Sequence, residues 1–213
     1  MRRPSPLLLA LASVLVLALT IAVIVDRSSS GSSSSPSSQT PTHAAGTSGF
    51  DGAPLPGNRA APGFTLTDQQ GRTVSLADYR GRVVLLTFLY SRCGATCILI
   101  AQQIRGALEE LHEQPAVLVV SADPATDTRA SVARFLEEVS LSGRVQYLTG
   151  PLSRLRAVWR AYGVTPASSS ATTFDRFESI LLLDAHGRER VLFQSEVLTP
   201  EALSHDIAKL QSG

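Results

Sequence analysis

The chain has 213 residues, long enough for one domain with a sizeable core plus extensions. Its 19 basic and 18 acidic residues nearly cancel, so neither a nucleic-acid groove nor an acidic partner organises it. Its 2 cysteines exclude a disulfide-scaffold protein and are read as one functional or structural pair.

Residues 1–6 open with Met1-Arg2-Arg3, and an uncharged apolar run, LLLALASVLVLALTIAVIV, follows from Leu7 to Val25. At about 1.5 Å of rise per residue, that run is long enough to cross a bilayer as a helix. A cleaved signal peptide has a shorter apolar region and a small-residue cleavage site, and Val23-Ile24-Val25-Asp26 offers none. The arginines precede the span, so the positive-inside rule leaves residues 1–6 in the cytoplasm. The expectation is a single-pass signal anchor over 7–25 in the cell membrane, with the folded part on the extracytoplasmic side, where a disulfide persists. Residues 26–49 are dominated by Ser, Thr, Pro and Gly and are expected to be a flexible tether containing a solvated His43.

From Phe50 to residue 213 the composition is that of a packed domain. Phe64-Thr65-Leu66-Thr67 and Thr73-Val74-Ser75 alternate around Asp68-Gln69-Gln70-Gly71, which predicts a β-hairpin. Leu76 to Tyr79 forms a short turn ended by Gly81. Val83 to Phe88 is an unbroken apolar run, the pattern of a strand buried on both faces in a parallel sheet. The helix after Cys97 runs to about Glu113, with Ile100, Ile104, Leu108 and Leu111 on one face.

Val117 to Ala122 predicts a second buried strand, and Asp127 or Thr128 can cap a helix through Val132, Phe135, Leu136 and Val139. Asp123 and Asp127 are read as turn and cap residues rather than a metal pair. Val145 to Leu148 is a short strand. Leu152, Leu155, Val158, Trp159 and Tyr162 mark another amphipathic helix stopped by Gly163, and Val164 to Thr173 an irregular loop. Ser179 to Leu183 is a strand turning through Asp184–Gly187 into Arg190–Gln194, and Pro200 opens a final helix to about Leu210. Strands joined by helices argue for a parallel core, with the late hairpin adding antiparallel strands. The fold class is α/β: a thioredoxin-like layout with an N-terminal β-hairpin and an inserted helix, preceded by the transmembrane helix.

Cys93 and Cys97 follow the buried strand directly, at the carboxyl edge of the sheet, where open α/β folds place their chemistry. On the first turn of a helix, residues i and i+4 share a face with Cβ atoms roughly 6 Å apart. A disulfide is then accessible, since Cα separations up to about 6.8 Å are tolerated. Two thiolates so placed also suit one soft ion such as Cu(I). The helix N-terminus and Arg92 favour thiolate. A buried structural pair is the alternative reading of the same spacing, but so short a closed loop stabilises little.

The order of segments resembles the SCO (SenC) family, thioredoxin-fold proteins tied to copper delivery to cytochrome c oxidase. The resemblance runs from about Gly57 to Leu210. It is carried by Phe64–Asp68 with Gly71, Leu76 with Arg80-Gly81, Thr87–Cys93 with Cys97, Ser121–Pro124 with Asp127-Thr128, Tyr162–Val164, and Leu182–Asp184 with Gly187. It implies copper as the metal, Cys93 and Cys97 as its ligands, and cytochrome c oxidase subunit II or another extracytoplasmic thiol protein as partner. The family motif is Cys-Pro-x-x-Cys-Pro, whereas Gly94 and Ile98 hold the proline positions here. The family's third copper ligand, a histidine, aligns with Arg176, and a guanidinium cannot coordinate a metal. His112, His186 and His205 do not obviously replace it. Thioredoxins also carry a cis-proline facing the cysteines, and Glu178 stands at that position. The expectation is therefore copper-site assembly by thiol–disulfide exchange, by Cu(I) delivery, or by both, with Cys93 attacking and Cys97 resolving. A peroxiredoxin-like peroxidase or a general thiol–disulfide oxidoreductase is the alternative. The peroxidase ranks last, because no proline precedes Cys93 in the way a Pro-x-x-x-Thr segment requires.

Overall fold

The computed structural model describes residues 49–165 and 178–213. The expected anchor over 7–25, nearly all of the tether, and Arg176 lie outside the described residues. Among the described residues no helix is long and apolar enough to cross a membrane.

Eight strands and four α-helices make up the described chain. The strands are β1 (Ala53–Pro54), β2 (Thr65–Thr67), β3 (Thr73–Ser75), β4 (Val84–Leu89), β5 (Ala116–Ser121), β6 (Gln146–Leu148), β7 (Ser179–Leu183) and β8 (Glu189–Gln194). The helices are α1 (Ala95–Glu110), α2 (Arg129–Glu138), α3 (Leu152–Tyr162) and α4 (Pro200–Gln211). The main sheet runs β1-β8-β7-β4-β5-β6. Strands β4, β5 and β6 are parallel, while β7, β8 and β1 add antiparallel neighbours in turn. A parallel core with an antiparallel late hairpin is the arrangement the sequence predicts.

Every residue of β4 and of β5 is buried. Their side chains alternate between two cores, one on each face of the sheet. Leu85 and Leu89 meet Ile100, Ile104 and Leu108 of α1, Phe135 and Leu136 of α2, and Leu203 and Ile207 of α4. Val84, Leu86 and Phe88 meet Leu155, Val158, Trp159 and Tyr162 of α3, with Phe64 and Leu66 of the hairpin segment. Each fully buried aliphatic side chain contributes about 1.5–3 kcal/mol, so α1 is held by its apolar stripe. Gly106 lets α1 approach α4 closely, because a Cβ there would lie 2.9 Å from Pro200 Cγ.

Two features depart from the sequence reading, while the β2–β3 hairpin pairs as the alternation predicts. It forms its own two-stranded sheet and meets the end of β6 through a Thr67–Thr149 bridge. The two-residue β1 is unforeseen, since Ala53-Pro54 has no strand pattern of its own. The long helix starts at Ala95, with Gly94 as its N-cap, rather than after Cys97.

The start of the described chain is fastened to α4. Asp206 is fully buried and accepts the backbone N–H of Asp51 and of Gly52, each at 2.9 Å. Phe50 packs into the core beneath the ammonium of Lys209, 5.0 Å from its ring centre. His205 Nδ1 lies 3.0 Å from both Asp51 and Asp206, so the histidine belongs to this clamp. Asp206→Ala leaves two backbone donors without their acceptor and is expected to cost about 2–5 kcal/mol in urea denaturation. Lys209→Ala, at an exposed site, is expected to cost about 1 kcal/mol or less in the same measurement.

Candidate functional site

The chain leaves β4 through Tyr90, Ser91 and Arg92, reaches Cys93, turns at Gly94 and enters α1, where Cys97 sits in the first turn. The two cysteines are therefore not both helical, as the spacing had suggested. Cys93 precedes the helix N-cap and only Cys97 lies on the helix. Cys93 and Cys97 form a disulfide with a Cα separation of 5.8 Å. Cys97 is fully buried against the α1 side of the core, whereas Cys93 is half-buried and borders solvent. Both sulfurs sit at the positive end of the α1 dipole, which stabilises a thiolate formed on reduction.

Gly94 explains one departure from the Cys-Pro pattern. Its φ is +83°, a region a proline cannot enter, since its ring fixes φ near −65°. The loop between the cysteines is thus shaped by a residue without a side chain.

The turn before Cys93 is anchored by Asp127. This carboxylate is buried. It accepts the Ser91 N–H at 2.7 Å, the Ser121 hydroxyl at 2.6 Å and the Tyr147 hydroxyl at 2.8 Å. Asp127 is not the cap of α2, contrary to one of the sequence readings. Thr128 is, accepting the Ser131 N–H at 3.1 Å. Asp123 is the turn residue expected, accepting from Ala125 N–H and the Thr126 hydroxyl. Two candidate caps in succession were the available signal that one of them was free for other work. Trp159 adds a further tie, donating its indole N–H to the Ser121 carbonyl at 2.9 Å.

Glu178 is the residue whose place the sequence did not anticipate. It lies immediately before β7, half-buried, with a φ of +61° that non-glycine residues seldom adopt. Its Oε1 lies 4.0 Å from Cys93 Sγ. The donor atoms of Cys93, Cys97 and Glu178 all fall within 4.8 Å of one another. Among the described residues, no histidine joins that cluster. His112 and His186 are exposed outside it, and His205 belongs to the clamp on α4.

The donor chemistry fits a metal when the pair is reduced. Two thiolates are soft ligands suited to Cu(I) or Zn(II), and the carboxylate is a hard one. In the disulfide state the sulfurs are committed to each other, and no metal is held by them.

Comparisons with known proteins match this architecture. The family model described as SCO1/SenC matches residues 53–212. The mitochondrial Protein SCO2 homolog of Bos taurus is 31% identical over 106 residues, covering 47% of this chain and 39% of that protein. A putative peroxiredoxin of Mycobacterium tuberculosis is 34% identical over 108 residues, covering 51% of this chain and 65% of that protein. The chain thus spans less than two thirds of the length of either relative. The solved structure of Bradyrhizobium japonicum ScoI with copper bound is similar at 26% identity and a TM-score of 0.55, covering 71% of this chain and 99% of that one. The fold is the thioredoxin-like α/β fold.

Burial first, and the Asp127 carboxylate second, push the Tyr147 phenol well above its usual value of 10.0. The folded protein keeps a proton that the unfolded chain releases near that value. Stability from this group is therefore complete below about pH 10 and is lost as pH rises beyond it. Denaturation followed from pH 7 to 11 is expected to show that fall, with a shallower slope in Tyr147→Phe. At pH 7 the same variant is expected to lose about 1–2 kcal/mol through the donor removed from Asp127.

Proposed function

The chain belongs to the SCO1/SenC family, and on that premise we propose that it assists copper-site assembly of cytochrome c oxidase from the outer face of the cell membrane. In this reading residues 7–25 anchor it, residues 26–49 tether it, and Cys93 and Cys97 carry the chemistry. The observation that carries the reading is the disulfide between a solvent-bordering Cys93 and a fully buried Cys97, at the carboxyl edge of a parallel sheet and the start of a helix.

The exposure difference supports an attacking Cys93 and a resolving Cys97. In the reduced protein the Cys93 thiolate attacks a client disulfide, forming a Cys93–client mixed disulfide and expelling one client thiolate. The Cys97 thiolate then attacks Cys93 Sγ. The Cys93–Cys97 disulfide forms, the second client thiolate leaves, and two electrons have passed to the client. Protons taken up from water complete the client thiols, and an external dithiol regenerates the reduced pair. The loop that carries Cys93 is held by Asp127 through Ser91, which keeps the attacking sulfur at the sheet edge during both displacements.

Reduced Cys93 and Cys97 also offer Cu(I) two sulfurs, the ligand type that selects it. The copper-bound ScoI of Bradyrhizobium japonicum supports that branch of the reading. The oxidase site that would receive electrons or copper is that of subunit II. The similarity to a putative peroxiredoxin supports a second reading, a thiol peroxidase in which Cys93 alone is oxidised by peroxide.

The full-length chain, reduced without oxygen, is expected to reduce a disulfide-linked copper-site peptide of subunit II. Cys93→Ser is expected to abolish that activity, and Cys97→Ser to trap the mixed disulfide, both read by mass spectrometry of the peptide. In a Cu(I) competition titration, one-to-one binding lost in Cys93→Ser/Cys97→Ser would add metal delivery to thiol exchange. A peroxide-consuming activity that needs Cys93 and survives Cys97→Ser, with no peptide reduction, would replace this reading by the peroxidase.

A further inference from the structure

The position that faces Cys93 is an acid. Glu178 Oε1 stands 4.0 Å from Cys93 Sγ, and its donor atom groups with both sulfurs within 4.8 Å. A tetrahedral ion with metal–sulfur bonds of about 2.3 Å and metal–oxygen bonds of about 2.1 Å has sulfur and oxygen ligands about 3.6 Å apart. In the disulfide state the Glu178 oxygen thus lies a few tenths of an ångström beyond ligand spacing from Cys93 Sγ, and reduction frees the two sulfurs to separate around an ion. Backbone conformation adds a second observation, because Glu178 is held at φ +61° directly before β7, with its N–H directed to Phe88 O at the end of β4. Strain of that kind is retained where the surrounding structure imposes it, and it clusters at ligand clamps.

Charge decides which ion fits. The reduced and deprotonated site carries two thiolates and one carboxylate, three negative charges within a few ångströms. Their repulsion is relieved more by a divalent than by a monovalent cation. The hard oxygen donor points the same way, since Cu(I) gains little from a carboxylate, whereas Zn(II) accepts sulfur and carboxylate oxygen together. We propose that Cys93, Cys97 and Glu178 form a three-donor site for a divalent ion of the Zn(II) class, open only when the disulfide is reduced. This rests on the reading above that the cysteine pair is the working site, and it supplies that site with a third ligand. Reduction by a dithiol adds two electrons and two protons to the disulfide. Binding the ion then releases the two thiol protons to water, so oxidation of the pair ejects the ion.

The full-length chain, purified in mild detergent, reduced and freed of reductant under argon, is titrated with Zn(II) and separately with Cu(I) against chelators of known affinity. Glu178→Gln is expected to weaken Zn(II) binding tenfold or more while changing Cu(I) binding less than threefold. Glu178→His, which offers a neutral nitrogen, is expected to shift the preference towards Cu(I). X-ray absorption at the zinc edge is expected to count two sulfurs and a carboxylate oxygen in the wild type. Equal Zn(II) affinity in wild type and Glu178→Gln would overturn the proposal. Should Glu178→Gln fail to fold, a zinc edge in the wild type showing sulfur ligands without a carboxylate oxygen would overturn it alone. If Cys93→Ser/Cys97→Ser binds both ions as the wild type does, the cysteine reading itself falls, and this inference with it. Peptide reduction by the wild type, together with a Zn(II) affinity that drops in Glu178→Gln, supports both.

Discussion

A single buried carboxylate ties the active edge of the sheet together. Asp127 accepts from Ser91 just beyond β4, from Ser121 at the end of β5 and from Tyr147 within β6. A carboxylate taken out of water is costly unless its lone pairs are satisfied, and here three donors satisfy them, each from a different strand or its extension. The three parallel strands are thereby held in register where the chain turns towards Cys93. The turn is fastened from below by hydrogen bonds that do not involve either sulfur.

The two cysteines differ in burial: Cys97 is fully enclosed and Cys93 half-buried. Cys97 is enclosed by the same apolar surface that holds α1 to the sheet, so it can reach only a sulfur brought to it by Cys93. Cys93 rides on the loop ahead of the helix and meets the outside. A helix with both cysteines on its first turn would have offered two equivalent sulfurs. The insertion of Gly94 between loop and helix is what makes them unequal.

The strands and helices were largely legible because their periodicity is strong. Val84 to Leu89 has no polar interruption except Thr87, whose hydroxyl is used internally on the Ser179 carbonyl. Thr128, Pro200 and Gly163 marked helix ends by well-known local chemistry. Asp127 was misread because its partners lie 36, 6 and 20 residues away, and no local pattern carries that information. Glu178 was noticed only as a missing proline. Its proximity to Cys93, 85 residues away along the chain, depends on β7 pairing antiparallel with β4. The two-residue β1 was invisible for the opposite reason: its order comes from β8 and Asp206, not from its own side chains.

The fastening of Asp51 and Gly52 to Asp206 also sets how the domain carries load. Force applied through the preceding chain enters at the α4 clamp and is shared with β8 through β1. Strand β1 is the edge of the sheet opposite β6. A pull at Asp51 therefore meets the two hydrogen bonds to Asp206 and the β1–β8 pairing first.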